Sequence, residues 1–339
     1  MSTSLAVKYR PTKFDEVVEQ SATKVILQQQ LDSGEIKNAY LFCGGAGTGK
    51  TTCARIFANE INNGKGTPIE LDAASNNSVE DVREIIQQAK TASLDSEYKV
   101  FIMDEVHALS NQAWQAMLKV LEEPPAKSIF IMCTTDPQKI PKTILSRVQR
   151  FDFQRISQQA IFNRLAYVVS EENVGGDTEE ECAIKEEALN YIAKQAQGGM
   201  RDAITMLDKC LAYSNELNLD NVIKALGVAN YDVMTKLLIA YDCADPAEMI
   251  KVIDEVYMSG YDLKQFIKSF TNFALDLNKY SLGVTEHLDC PLSDDIKQVF
   301  DQFTRDENEL LTSLVKLQAD IKWDTNPKSR IEAWCFIGE

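Results

Sequence analysis

From the N-terminus to Arg155, short apolar runs alternate with amphipathic stretches. Ala39-Tyr-Leu-Phe-Cys43, Val100-Phe-Ile-Met103 and Ile129-Phe-Ile-Met-Cys133 are continuous apolar runs, as strands buried on both faces must be. Ile69-Glu-Leu71 is a shorter run before a Ser/Asn turn, and Phe151 and Phe153 alternate with polar neighbours as a last strand. The helices between them have readable starts. Ser78 with Asp81 makes a capping-box pattern, and Val79, Val82, Ile85, Ile86 and Ala89 then recur at helical spacing. This alternation predicts a parallel sheet with flanking helices. After Arg155 the strand signals stop. Short helices broken at Val174-Gly-Gly-Asp177 and Gln197-Gly-Gly199 are expected up to Ala229. Longer amphipathic helices follow, punctuated by Asp245-Pro246, Ser259-Gly260, Cys290-Pro291 and Asn326-Pro327. The expected organisation is an α/β domain over 1–156, a small helical domain over 157–229 and a larger all-α domain over 230–339.

Composition narrows the class. The chain has 339 residues, 45% of them hydrophobic and 25% charged, enough to bury substantial cores. No apolar run is long enough to span a bilayer, and the first ten residues hold no apolar core of signal-peptide length. The eight cysteines form no C-x-x-C pair, so reduced thiols in the cytoplasm are expected, with neither a disulfide framework nor a zinc site. A formal charge of −16 argues against a generally basic nucleic-acid binder. A local basic surface stays possible, because Lys139, Lys142, Arg147, Arg150 and Arg155 face one acid, Asp152, in that stretch.

Candidate chemistry begins after the first strand. Gly44, Gly45, Ala46, Gly47, Thr48, Gly49, Lys50 and Thr51 fit the phosphate-loop pattern G-x-x-x-x-G-K-[ST] between a strand and a helix starting near Lys50, with Thr52 next along it. Such glycines let backbone N–H groups turn toward phosphate oxygens, and a helix N-terminus adds favourable partial charge. Lys50 is expected to reach the outer phosphates and the Thr51 hydroxyl to ligate Mg²⁺. Asp104 ends the run Val100–Met103 where it can join the Mg²⁺ shell, and Glu105 can deprotonate an attacking water. His107 is one of two histidines. With no second His or Cys at metal spacing, it is read as a helix-entry or sheet-edge residue.

Seven strings then occur in order: Val7-Lys-Tyr-Arg-Pro11, the phosphate loop, Leu71-Asp-Ala-Ala-Ser75, Asp104-Glu-Val-His107, Leu118-Lys-Val-Leu-Glu-Glu-Pro-Pro125, Thr134-Thr-Asp-Pro-Gln-Lys139 and Ile144-Leu-Ser-Arg147. Together they resemble the gamma/tau subunits of the bacterial DNA polymerase III clamp loader, which are AAA+ ATPases. The resemblance implies an α/β P-loop AAA+ nucleotide domain, a small helical lid and an all-α collar through which subunits assemble. It implies that Tyr9, Arg10 and Pro11 lie against adenine and ribose, that Thr135 senses the γ-phosphate, and that Arg201 reaches the phosphates from the lid. A cation at the start of a helix, as Arg201 is, opposes the helix dipole unless an anion faces it. Arg147 of the Ser-Arg pair is expected to act in trans on a neighbouring subunit's nucleotide.

The implied partners are a sliding clamp, primer-template DNA and other subunits of a homo- or hetero-pentamer, with no membrane. ATP and Mg²⁺ are the implied cofactors. The helix from Asn111 to Leu121 is the implied clamp-facing surface, although its Trp114/Met117/Leu118/Leu121 spacing fits core packing equally well. The chain departs from the family in three ways. Val148 stands where a cysteine usually follows Ser-Arg. The interval Asn59–Pro68 lacks the usual four-cysteine zinc module, so no zinc is expected. The 339 residues also reach only the expected collar, so no tau-type extension is expected within them. Two other readings are a different AAA+ machine, such as a helicase loader or recombination factor, and a nucleotide-gated scaffold with negligible turnover. The Leu-Glu-Glu-Pro-Pro and Thr-Thr-Asp-Pro-Gln-Lys strings speak against the first. The presence of Glu105, Arg147 and Arg201 speaks against the second.

Overall fold

The computed structural model describes residues 3–91, 93, 95–174, 179–226, 231–290, 292 and 294–336. The expected break at Val174-Gly-Gly-Asp177, the proline of Cys290-Pro291 and the 229/230 boundary fall wholly or partly outside them. Two compact units emerge, 1–217 and 218–339.

The first unit is built on five parallel strands, β1 (Ala39–Gly44), β2 (Ile69–Asp72), β3 (Lys99–Asp104), β4 (Ser128–Thr134) and β5 (Gln149–Phe153), in the order β2-β3-β4-β1-β5. The period-2 alternation of side chains divides each apolar run between two cores. Leu41, Cys43, Phe101, Met103, Phe130 and Met132 face one side, where the Phe101 and Phe130 rings stack with centroids 5.2 Å apart. Tyr40, Phe42, Ile102, Ile131 and Cys133 face the other, joined there by Phe151 and Phe153. Each large apolar side chain so buried contributes about 1.5–3 kcal/mol, so continuous apolar runs are what this sheet demands.

Helices α2 (Ser21–Ser33), α3 (Lys50–Ile61), α4 (Val79–Ala89), α5 (Asn111–Glu122) and α6 (Lys142–Leu145) surround the sheet, whereas the short α1 (Leu5–Lys8) lies against the helix Met200–Tyr213, its Leu5 amide donating to Asp208. The capping box of α4 forms: the Ser78 side chain accepts from the Asp81 amide while the Asp81 side chain accepts from the Ser78 amide. On α5, Trp114, Met117 and Leu121 are buried against the sheet. Of the two readings of that spacing, packing is therefore what these side chains do. Three further helices, α7 (Gln158–Glu171), α8 (Glu179–Gln195) and α9 (Met200–Tyr213), complete the unit around Ile161, Leu165, Ile192 and Leu207.

In the second unit, α10 (Leu219–Leu226) precedes α11 (Tyr231–Asp242), α12 (Pro246–Met258), α13 (Leu263–Ser281), α14 (Asp294–Gln302), α15 (Glu307–Ile321) and α16 (Pro327–Trp334). Its core runs along one stripe of α13, Phe266, Ile267, Phe270, Phe273, Ala274 and Leu277, the 3.6-residue spacing of a core-facing helix. Asp276 is buried beside them, where an unpaired charge would be costly. It is paired with Lys279 at 3.0 Å and accepts from the amides of Asp289 and Cys290 at 2.8 and 2.7 Å. No described helix is long and apolar enough to cross a membrane.

Candidate nucleotide site

The Gly-rich loop leaves the C-terminal end of β1 and enters α3 at Lys50, the end of a parallel sheet where ligands of open α/β folds bind. No side chain caps α3, so its first-turn amides are open to an anion. Gly47 sits at φ +68° against the loop preceding α9. A Cβ there would come within 2.9 Å of the Gly199 Cα. The Met200 amide donates to the Gly47 carbonyl at 3.0 Å. The start of α9 is thus seated on the phosphate loop, backbone to backbone.

Lys50 is only 6% exposed. Its ammonium donates to the carbonyls of Gly44 and Gly45 at 2.9 and 2.7 Å. Burial pulls the Lys50 pKa below the ordinary 10.5, opposed in part by Cys133, Glu105 and Asp104. An anion arriving at the loop would give this desolvated cation a better partner than neutral carbonyls.

The expected acids follow β3. The Thr51 hydroxyl donates to Asp104 Oδ2 at 2.7 Å, so a hydroxyl and a carboxylate from separate elements meet beside the loop. Asp104 Oδ1 accepts from the Glu105 amide at 3.0 Å. Glu105 has left-handed backbone, φ +48°. Its Oε2 accepts from the hydroxyl and amide of Thr135, at 2.9 and 3.2 Å, and lies 3.1 Å from His107 Nδ1. Thr135 immediately follows β4, the strand lying between β1 and β3.

A cleft of about 280 Å³ opens over the loop. Tyr9, Arg10 and Pro11 line it together with Gly47, Thr48, Gly49, Lys50, Thr51, Thr52, Asp104 and Arg201. Most of the residues singled out from sequence therefore share one cavity. Glu105 and Thr135 sit beside it and touch each other. Arg147 is elsewhere: it is not among the described lining residues. Its guanidinium donates to Glu122 Oε1 at 2.7 Å, to the Thr143 carbonyl at 2.7 Å and to Ser146 Oγ at 3.0 Å. Arg150 pairs with Asp152.

Sequence reasoning missed three residues around the cleft. Arg164, on α7, lines it and donates to the Tyr9 carbonyl at 2.9 Å, while its guanidinium lies 5.1 Å from the Tyr167 ring centre. Gln20 is buried, donating to the Gln154 carbonyl at 2.7 Å and accepting from the Gln154 amide at 3.1 Å. Glu19 accepts from the hydroxyl and amide of Ser157, the residue capping α7. Glu19 and Gln20 both have positive φ, which nothing in the local sequence signals. Their partners come from elsewhere in the chain: the Thr48 carbonyl, 3.5 Å from Gln20 Nε2, and above all the segment 134 to 138 residues later.

Comparison with known proteins places this arrangement. A family model described as DNA polymerase III, delta subunit, matches residues 67–157, and one described as DNA polymerase III clamp loader subunit, ATPase lid domain, matches residues 160–216. The tau subunit of DNA polymerase III from Bacillus subtilis is 34% identical, over 94% of this chain and 60% of that protein. The tau subunit from Escherichia coli is 34% identical, over 76% of this chain and 42% of that protein. The chain thus spans about half the length of these two relatives. The gamma subunit from Buchnera aphidicola is 33% identical, over 79% of this chain and 78% of that protein. Among solved structures, the Thermotoga maritima RuvB Holliday junction branch migration motor superposes with a TM-score of 0.53 at 20% identity, covering 68% of this chain and 78% of that one. At that identity the likeness speaks for the P-loop ATPase fold alone. With the Buchnera protein matched over most of both chains and the lid model falling on α7 to α9, this chain belongs to the DNA polymerase III gamma/tau family of clamp-loader subunits.

Proposed function

We propose that the chain is the ATP-hydrolysing subunit of a sliding-clamp loader in DNA replication. In this reading ATP binding organises a ring-like assembly that opens the clamp, and hydrolysis on primed DNA releases it. Membership of an AAA+ ATPase family implies a nucleotide site, usually with magnesium, and assembly with other subunits, clamp and DNA. The observation that carries the reading is the cleft, which gathers the Tyr9-Arg10-Pro11 segment, the phosphate loop, Asp104 and Arg201 from four distant parts of the chain.

The residues present fit a magnesium ion. Thr51 and Asp104 offer oxygen ligands 2.7 Å from each other, and magnesium characteristically takes one or two protein oxygens and completes its shell with substrate phosphates and water. When bound, it neutralises charge on the phosphate oxygens. The protein's own groups do the rest. Lys50 exchanges its loop carbonyls for the outer phosphates. Tyr9, Arg10 and Pro11 hold the nucleoside. Glu105 takes the proton from the attacking water. Thr135 and Arg201 report the terminal phosphate to the sheet and to the lid. Arg147, outside its own cleft, serves a neighbouring subunit's nucleotide, an effect worth roughly 10³–10⁵ in rate for arginine fingers. The reading keeps three functional parts, 1–156, 157–229 and 230–339, as ATPase, lid and collar. It includes no zinc, because Asn59–Pro68 carries no cysteine, and it places the protein in the cytoplasm.

ATP hydrolysis by the purified chain, alone and with partner subunits, clamp and primed DNA, tests this function. Marked stimulation only with clamp and DNA together is expected; a rate indifferent to both would reject clamp loading. Mixing Arg147→Ala with Lys50→Ala chains tests action in trans. If mixed assemblies form and recover no hydrolysis, a finger between copies of this chain is wrong.

A further inference from the structure

His107 is the motif residue that the nucleotide reading leaves without a task, and its position is specific. Its Nδ1 lies 3.1 Å from Glu105 Oε2 and 3.3 Å from the Thr134 hydroxyl. Thr134 is itself held at the end of β4, where its hydroxyl accepts from the Asp136 amide at 3.1 Å. A bare Nδ1 would set its lone pair against a carboxylate oxygen. The arrangement therefore favours the form with hydrogen on Nδ1, which donates to Oε2.

Oε2 of Glu105 then receives three donors: the Thr135 hydroxyl at 2.9 Å, the Thr135 amide at 3.2 Å and His107 Nδ1. Among the hydrogen bonds of the described residues, none engages Oε1. One carboxylate oxygen is fixed and the other is free. The backbone works to the same end, because Glu105 is held at φ +48°, a conformation that costs a side-chain-bearing residue about 1–2 kcal/mol and persists only where its surroundings over-determine it. Asp104 and Ala108 hold its backbone amide and carbonyl, and His107 and Thr135 hold its side chain, one from the turn after β3 and one just past the end of β4.

We propose that His107 is a positioning residue for hydrolysis: it pins Glu105 Oε2 so that Oε1 faces the water that attacks the terminal phosphate. This rests on the hydrolytic reading above. In the step it serves, the water oxygen bonds to phosphorus as the bond to the bridging oxygen breaks. The electron pair leaves on the diphosphate and the water proton passes to Oε1. His107 exchanges no proton in this step, so its contribution is orientation alone. A base displaced by a fraction of an ångström loses rate steeply.

Two measurements test it. The first is magnesium-dependent ATP hydrolysis by the full chain assembled with its partner subunits, clamp and primed DNA, comparing His107→Asn, His107→Leu and Glu105→Gln. The asparagine amide can donate from nearly the position of Nδ1, whereas leucine cannot. His107→Leu is expected to lower kcat by about tenfold or more with KM and nucleotide affinity unchanged, and His107→Asn to recover most of that loss. Equal losses in both variants, or none in His107→Leu while Glu105→Gln is impaired, would overturn the positioning role and leave hydrolysis by Glu105 standing. An unimpaired Glu105→Gln would overturn both. The second measurement is independent of turnover. With only two histidines in the chain, ¹⁵N-histidine spectra assigned with His287→Gln report the tautomer directly. A protonated Nδ1 on His107 that shifts on Glu105→Leu is expected, and a bare Nδ1 would reject the proposal.

Discussion

Gly47→Ala perturbs the place where the phosphate loop meets the start of α9. At φ +68°, an alanine pays about 1–2 kcal/mol relative to right-handed backbone. Its Cβ would lie 2.9 Å from the Gly199 Cα and 3.2 Å from the Gly199 carbonyl carbon. Both are backbone atoms, so no side-chain rotation relieves the overlap. The start of α9 must move away and release the Met200–Gly47 hydrogen bond, worth about 0.5–1.5 kcal/mol. The expected loss is about 2–3 kcal/mol in the stability of the α9–loop contact. Gly199→Ala is the matched control. Gly199 has ordinary backbone, φ −99°, and the nearest atom to an added Cβ is Asp202 Oδ2 at 2.6 Å, a side-chain end that can swing aside. The remaining neighbours, the Ala196 and Ala46 carbonyl oxygens at 3.3 and 3.4 Å, are tight but not prohibitive, so a cost of about 1 kcal/mol, at the low end for an added methyl group, is expected. Hydrogen exchange read peptide by peptide, with urea unfolding alongside, measures both. The Met200 amide should exchange much faster in Gly47→Ala than in wild type or Gly199→Ala. A Gly47→Ala protein within about 0.5 kcal/mol of wild type, with Met200 still protected, would refute the backbone-to-backbone seating.

Four further outcomes follow from burial and bonding. Burial pushes the thiols of Cys210 and Cys335 up to about 11 and about 12 from the ordinary 9.0. Raised folded-state values stabilise fully below pH 9 and lose that effect as pH climbs toward 11–12, so the urea midpoint should fall above pH 9. At pH 8 an aromatic disulfide reagent should label the exposed Cys182 and Cys243 promptly and the six buried cysteines only on unfolding; more than two fast thiols would count against the described cores. Trp114→Ala, at a site 4% exposed, should cost about 3–5 kcal/mol, whereas Trp323→Ala, at 85% exposure, should stay within about 0.5 kcal/mol in chemical denaturation. Arg164→Met keeps the aliphatic stem but loses the bond to the Tyr9 carbonyl. Nucleotide affinity by fluorescence titration should weaken by about tenfold, and an unchanged affinity would remove Arg164 from the nucleotide site.

Much of this protein is legible in its sequence because some physical requirements are local. Strands covered on both faces must be apolar at every position, and Val100–Met103 and Ile129–Cys133 are. A capping box needs only Ser78 and Asp81 three residues apart. A loop that wraps phosphates needs glycines, a lysine and a hydroxyl at set intervals, all within eight residues from Gly44 to Thr51. The acid at the end of β3 follows from the same logic, since strand ends on one side of a parallel sheet converge.

Spacing did not decide between core and partner for Trp114, because a helical stripe records that one face is apolar and not what covers it; the sheet does. Nor did it foresee Glu122 holding Arg147, Gln20 bridging to Gln154, or Arg164 reaching Tyr9 from 155 residues away. These are polar contacts between segments whose separation along the chain carries no period. His107 shows the divide within a single motif. Its sequence context marked only the turn after β3, while the partners that give it a task, Glu105 Oε2 and Thr134, meet it only because β3 and β4 pair in register. The sequence by itself determined the elements, the phosphate loop and the kinds of group available. The tertiary structure decided which of those groups touch, because hydrogen bonds act over about 3 Å and only the folded chain brings distant residues that close.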